Sequence, residues 1–211
     1  MEHSLPLSDL VVVDLTRARS GPSATRMLAD WGADVVKVQE PATDGKPPEE
    51  MGGGWQSSDS QNLNRNKRAI SLNLKEDEGR KIFLQLVERA DMVVENYRPD
   101  VKHRLGIDYE ACRAVNPRII YGSISGFGQS GPYNQRAGLD QIAQGIGGLM
   151  SVTGMPGQGP VRAGIAIADV AAGAFLVQGL LMALHQRDST GEGQWVHTSL
   201  TEAMIQLMDL Q

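Results

Sequence analysis

The 211-residue sequence contains one cysteine, Cys112. No disulfide can form within the chain, which fits a reducing, cytoplasmic setting. Positive charge is not in excess: 20 lysines and arginines face 25 aspartates and glutamates, a formal net charge of −5. Binding to nucleic acid usually needs a basic field, so nucleic acid is not expected as a partner. Long apolar runs are missing. The longest, from Val170 to Leu184, is interrupted by Gly173, Gln178 and Gly179. It falls short of the roughly 20 residues a membrane span needs, so no membrane partner is expected. The opening "MEHSLPLSDLVVVDL" has no basic region ahead of an apolar stretch and little arginine, which predicts neither a signal nor a transit peptide. The four histidines, His3, His103, His185 and His197, are scattered without ligand spacing, so no metal site is expected. There are no repeats and no low-complexity tract.

What is present is 41% hydrophobic residues, enough for one sizeable core. "LVVVDLT" (Leu10 to Thr16) reads as a strand buried on both faces. "SGPSATRMLADWG" reads as a helix, with Pro22 near its start and Gly32 as its stop. "ADVVKVQ" is a second strand. Pro41 to Asn66 reads as a polar Gly- and Pro-rich loop, too long for an ordinary connection. "AISLNL", "DMVVENY" and "RIIYGSI" read as strands. "KEDEGRKIFLQLVERA" has helical periodicity, and Asp108 suits the N-cap of a helix through "YEACRAV". The alternation predicts an α/β fold: a Rossmann-like parallel sheet with helices on both faces. After Gly131, "GLDQIAQGIGGLMSVTG" and "AIADVAAGAFLVQGLLMALHQRDSTG" read as two closely packing helices, followed by a late strand, "QWVHTSL". "TEAMIQLMDLQ" starts a helix without a closing cap, as a piece of a longer protein would.

Several motifs carry two readings. "GFGQSG" (Gly126 to Gly131) matches G-x-G-x-x-G after a strand, but Pro132 and Tyr133 follow where a helix should start, and no acid lies about 20 positions on. A tight turn is the better reading, and a dehydrogenase fails on the missing fingerprint. "NRNKR" (Asn64 to Arg68) is either a solvated edge or a phosphate site. Arg17, Arg19 and Arg26 flank the first strand–helix turn, where such sheets bind ligands. "ENYRP" places Asn96 and Tyr97 at a strand end, as ligand contacts or as ordinary polar groups. Ser125 lies in "SISGF", outside any G-x-S-x-G elbow. Asp169 is the one charge after Arg162 in "VRAGIAIADVAAGAFLVQGLL". It reads either as a helix N-cap or as an anion held at a helix N-terminus, open to a substrate and able to act as a covalent nucleophile.

Seven blocks then coincide in order: "DLTRARSGPSATRMLADWGADVVKVQEP", "NRNKRAISLNLK", "DMVVENYRPDV", "NPRIIYGSISGFGQSGPY", "RAGLDQIAQGIGGLM", "VRAGIAIADVAAG" and "TGEGQWVHTSLTEA". Over nearly all 211 residues the chain resembles the class III CoA-transferases, the formyl-CoA and carnitine CoA-transferase type. The resemblance implies that residues 1–211 are the N-terminal part of a Rossmann-like large domain. The small domain and C-terminal part, and the interlocked homodimer expected of the full-length protein, lie outside this chain. It implies transfer of CoA from an acyl-CoA thioester to a carboxylic acid through covalent intermediates on Asp169, with coenzyme A as substrate and no permanently bound cofactor. It also implies CoA contacts from Arg19 and Ser20, from Leu72, Asn73, Leu74 and Lys75, from Asn96, Tyr97 and Arg98, and from Arg104 to a phosphate. Ala137, Gly138, Leu139 and Asp140 would lie beside the reacting thioester.

The sequence departs from that pattern at Gln39 and Glu40, at Ala137, and at Leu139–Asp140. Many relatives carry glutamate where Gln39 stands, and the formyl-CoA transferases carry a phosphate-binding arginine at Glu40, a lysine at Ala137 and Tyr–Glu at Leu139–Asp140. The departures argue against formate and oxalate as substrates and leave the CoA phosphates to Arg17 or Lys67. The Gly-rich loop that closes over the intermediate in relatives would lie beyond Gln211. A related racemase would need a histidine where Leu139 stands, and leucine exchanges no proton. A CoA-binding module without turnover is the alternative from another class.

Overall fold

A computed structural model describes residues 4–42 and 56–210. Six strands form one parallel sheet: β1 (Val11–Asp14), β2 (Asp34–Gln39), β3 (Lys67–Ser71), β4 (Met92–Glu95), β5 (Ile120–Ser125) and β6 (Trp195–Ser199). Their order is β3-β2-β1-β4-β5-β6. β1 therefore pairs on one edge with β2 (Val12 opposite Val35) and on the other with β4 (Val13 opposite Val93). The chain reverses its winding between β1 and β4. In such sheets the crevice beyond the carboxyl ends of those two strands is where ligands bind.

The strand sequences explain the two-sided burial. Successive side chains point to opposite faces. Val12, Met92, Val94, Ile120 and Ile124 enter one core with Ala24, Leu28, Ala172, Leu176 and Leu180. Val13, Val93, Ile119 and Tyr121 enter the other with Phe83, Val87, Ile107 and Cys112. Burial pushes the Cys112 thiol up to about 12, so it is an inert core group.

Eight helices lie among the described residues. α1 (Ser20–Asp30) follows β1, and Gly32 turns the chain at φ +103°. α2 (Ser58–Asn64) lies within the expected 41–66 loop, of which residues 43–55 fall outside the described part. α3 (Asp77–Val87) opens on Asp77 and Glu78, which suit a helix N-terminus. α4 (Pro99–Leu105) was not expected. Its signals were Pro99 in the first turn and Gly106 in the left-handed conformation just past the end. Asp108 caps α5 (Tyr109–Val115) by accepting from the Ala111 amide at 3.0 Å. The expected helix over "GLDQIAQGIGGLMSVTG" is only α6 (Asp140–Ile146), because Gly147 and Gly148 (φ +91°) stop it before a short 3₁₀ turn, Leu149–Ser151.

α7 (Ile167–Thr190) is a 24-residue helix, long and apolar enough by length and composition to cross a membrane. The 170–184 run understates it. Here α7 packs against α1, α8 (Leu200–Met208), β5 and β6. Gly173 makes the α1 contact possible: a Cβ there would sit 2.8 Å from the Ser20 carbonyl oxygen.

Candidate active site

The site begins with a buried carboxylate at the end of β1. Asp14 accepts from the Thr16 amide (2.8 Å) and hydroxyl (2.5 Å), from the Thr25 hydroxyl (2.7 Å) and from Lys67 Nζ (3.0 Å). Burial works against this anion, but Lys67, Lys37 and the Thr16 hydrogen bonds outweigh it and hold the carboxyl below its ordinary range. The network folds the turn after β1. Ala18 in that turn adopts φ +60°, a left-handed conformation that is strained for alanine.

Asn96, just past β4, fixes the same turn. It accepts from the Arg17 amide at 2.8 Å and donates to the Arg17 carbonyl at 2.7 Å. Beside it the buried Glu95 accepts from the Tyr97 amide (2.7 Å) and from Lys102 Nζ (2.9 Å). Burial raises the Glu95 carboxyl against the opposing pull of Lys102 and Ser123. The Arg17 guanidinium pairs with Glu40 at 2.7 Å and lies 5.5 Å from the centre of the Tyr97 ring.

Two cavities meet at this junction, sharing Arg17, Asn96, Tyr97 and Arg98 as a common wall. The first, about 420 Å³, is lined by Ser20, Ala137, Gly138, Leu139, Asp140 and Asp169 as well. The second, about 560 Å³, adds Leu72, Asn73, Leu74, Lys75, Arg104 and Glu40. The residues expected from the resemblance to contact CoA or the thioester all line one of them except Arg19, whose guanidinium pairs with Asp59 of α2; Lys67, the other phosphate candidate, lines neither. Gly126 and Gly138 press together at the base of the first cavity, where a Cβ on Gly126 would lie 2.4 Å from the Gly138 Cα.

Asp169 is the third residue of α7 and does not cap it. Asp140 does, from α6: its Oδ1 accepts from the Ala168 amide at 2.8 Å and the Asp169 amide at 3.1 Å. The N-cap reading of Asp169 is therefore corrected, and its carboxylate faces the cavity. Nor is the helix N-terminus enough to favour its anion. Burial first, then repulsion from Asp140, lifts the Asp169 carboxyl to about 6, against the pull of Arg19 and a hydrogen bond with Ser20.

Other expectations change as well. Lys67 is not available to a phosphate: its side chain is 1% exposed and bonded to Asp14, Thr25 and the Pro22 carbonyl. Arg65 and Arg68 of the same basic cluster pair with Asp30 and Asp34, each at 2.5 Å. "GFGQSG" is a turn, with Gly128 and Gly131 at φ +93° and +94° and no helix behind it. Among the described residues no three potential metal ligands cluster.

Sequence reasoning missed two residues here. Ser125 lines the first cavity, and its buried hydroxyl has no partner among the described residues. Gln144 lies behind Asp140, and its signal was the Asp-x-x-x-Gln spacing that puts residues i and i+4 on one helix face.

Comparisons with known proteins place the chain in a family. A succinate–glutarate CoA-transferase of Agrobacterium fabrum is 43% identical over 206 residues, 93% of this chain and 51% of that protein. A formyl-CoA:oxalate CoA-transferase of Streptomyces avermitilis is 41% identical over 204 residues, 95% of this chain and 49% of that protein. The crystal structure of a CAIB/BAIF family protein from Brucella suis superposes with a TM-score of 0.88 at 39% identity, covering 98% of this chain and 56% of that one. The chain thus spans about half the length of the curated relatives it matches. The family model for CoA-transferase family III matches residues 7–211, and the chain belongs to that family.

Proposed function

We propose that the protein carrying this chain transfers CoA from an acyl-CoA thioester to a free carboxylic acid, with Asp169 as the covalent nucleophile. One observation carries the reading most directly. The Asp169 carboxylate is relieved of helix capping by Asp140 and lines a cavity at the carboxyl ends of β1 and β4. That cavity opens beside a second one, edged by Lys75, Arg98 and Arg104, where the nucleotide end of CoA would lie.

The chemistry runs without net proton transfer. An Asp169 oxygen attacks the thioester carbonyl, the C–S bond breaks, and a mixed anhydride and CoA thiolate result. The thiolate attacks the aspartyl carbonyl of the anhydride and releases the donor acid as its carboxylate, leaving an aspartyl-CoA thioester. The acceptor carboxylate displaces CoA thiolate from that thioester to give a second anhydride. The thiolate then attacks the acceptor's carbonyl, forming the new CoA ester and freeing Asp169. The covalent route divides one difficult exchange into easier steps. With its carboxyl at about 6, Asp169 is roughly nine-tenths ionised at pH 7 and more basic than an ordinary aspartate.

The acids exchanged are not chosen by overall identity, since relatives named for succinate and glutarate and for formate and oxalate stand at 43% and 41%. The departures at Glu40, Ala137 and Leu139 support an acid other than formate or oxalate. Leu139, 53% exposed, supplies no proton acceptor for racemisation. The proposal includes a homodimer for the full-length protein. The exposed Ile146, Met182 and Ile205 on α6, α7 and α8 support a further protein surface against this half. A cytoplasmic setting is part of the same reading and rests on the single cysteine.

Hydroxylamine tests the covalent step. Added during turnover of the full-length protein with succinyl-CoA, it should convert the activated carboxyl of Asp169 to a hydroxamate that peptide mass mapping locates. Modification elsewhere, or none in the presence of turnover, contradicts the role given to Asp169.

A further inference from the structure

We propose that Gln144 and Asp140 form a positioning pair: Gln144 holds Asp140 against the loop that enters α7, and Asp140 caps α7 so that Asp169 is left facing the cavity. The inference rests on Asp169 being the reacting carboxylate and adds the device that presents it.

Gln144 is 1% exposed, and its side-chain amide bonds three residues, one on its own helix and two in the segment before α7. Its Nε2 donates to Asp140 Oδ2 at 2.6 Å and to the Ile165 carbonyl at 3.2 Å, while its Oε1 accepts from the Ala163 amide at 2.9 Å. Ala163 and Ile165 belong to the segment that leads directly into α7. Asp140 is thus oriented from behind through Oδ2 and presents Oδ1 to the Ala168 and Asp169 amides in front. A helix leaves its first amides without partners, and an aspartate near such an end commonly supplies one itself. With Asp140 in that role, the Asp169 side chain has no capping duty.

The arrangement also sets the field at Asp169. The groups facing it are Asp140 from α6, and Arg19 and Ser20 at the start of α1. Asp140 is the repulsive member of this set, so its charge and its distance act on how readily Asp169 ionises. Gln144 fixes the distance by holding Asp140 in place.

The test uses the full-length protein labelled with ¹³C at the aspartate carboxyl carbons. The Asp169 resonance is identified by its loss in Asp169→Asn, and its titration midpoint is followed by NMR. Asp140→Asn keeps a capping oxygen and removes the charge, so the midpoint should fall toward that of an ordinary aspartate. Gln144→Met keeps the bulk and removes the hydrogen bonds. It frees Asp140 to move relative to Asp169, so the midpoint should shift from its wild-type value. It should also slow CoA-adduct formation on Asp169 about tenfold or more while CoA binding holds, because small misplacements of a reacting group are costly. A merely structural role would lower melting temperature and leave the midpoints where they are. Unchanged midpoints in Asp140→Asn and Gln144→Met would overturn the inference. Should Asp140→Asn not fold, the Gln144→Met midpoint decides alone. Shifted midpoints with no adduct on the wild type either would remove Asp169 as nucleophile and leave the positioning pair standing.

Discussion

The side-chain amide of Asn96 meets the peptide of Arg17 twice, accepting from its amide at 2.8 Å and donating to its carbonyl at 2.7 Å. The contact joins the ends of β1 and β4 at the point where the sheet reverses its winding. It also holds the strained turn through Ala18 in place. Asn96→Ala removes both bonds and should cost about 1–2 kcal/mol of stability, read by urea unfolding. CoA binding should weaken at the same time, since Arg17 and Asn96 line both cavities. A variant as stable as wild type would show that the turn holds itself.

Asp169 predicts an unusual pH dependence of stability. Its folded-state carboxyl, at about 6, lies above the ordinary value of 3.8. Folding therefore favours the protonated form. The favourable contribution is complete below about pH 3.8 and is lost as pH rises through about 6. Asp169→Asn should raise the unfolding free energy above pH 6, by about 1–2 kcal/mol after allowing for partial solvent contact, and by almost nothing near pH 4. Melting curves of both proteins across pH 4–8 check this. A gain of equal size at every pH would place the effect in packing and not in charge.

The Arg17–Glu40 pair is largely exposed, with side chains 55% and 46% accessible. Its contribution to stability should be small, below about 1 kcal/mol. On the reading that Arg17 meets a CoA phosphate, Glu40 occupies the guanidinium in its place. Glu40→Gln should therefore tighten CoA binding by about two- to fivefold, the worth of one surface pair, and leave the melting temperature nearly unchanged. Calorimetric titration with CoA and with pantetheine, which has no phosphate, separates this from a change in cavity shape. Equal tightening for both ligands would count against it.

Lys67 gives the opposite pattern. It lies buried against Asp14, so Lys67→Met removes the cation bonded to that buried carboxylate and leaves it to Lys37 and the Thr16 and Thr25 hydroxyls. A loss of about 3–5 kcal/mol is expected, with the change read in chemical denaturation. Loss of CoA affinity at unchanged stability would instead restore Lys67 to the phosphate role.

Much of this was legible in the sequence, and the failures have physical reasons. Val-rich runs buried on both faces, alternating with amphipathic segments, announce a parallel sheet, and Asp108 could be read as a cap from its position alone. Asp169 could not. Whether an aspartate near a helix start caps it depends on what else reaches the first amides. Here that is Asp140, 29 residues away in sequence. The same holds for Lys67: a basic cluster looks the same on paper whether solvent or a buried carboxylate surrounds it. α4 was missed because seven residues are too few for a periodicity to stand out, although Pro99 and Gly106 bracketed it.

The central claim is that Asp169 carries the acyl and CoA groups in turn. The direct measurement is an intact-mass spectrum of the full-length protein before and after mixing with succinyl-CoA, beside Asp169→Ala. The account predicts a CoA or acyl adduct on the wild type and none on the variant. An adduct on both, or turnover by the variant, would contradict it.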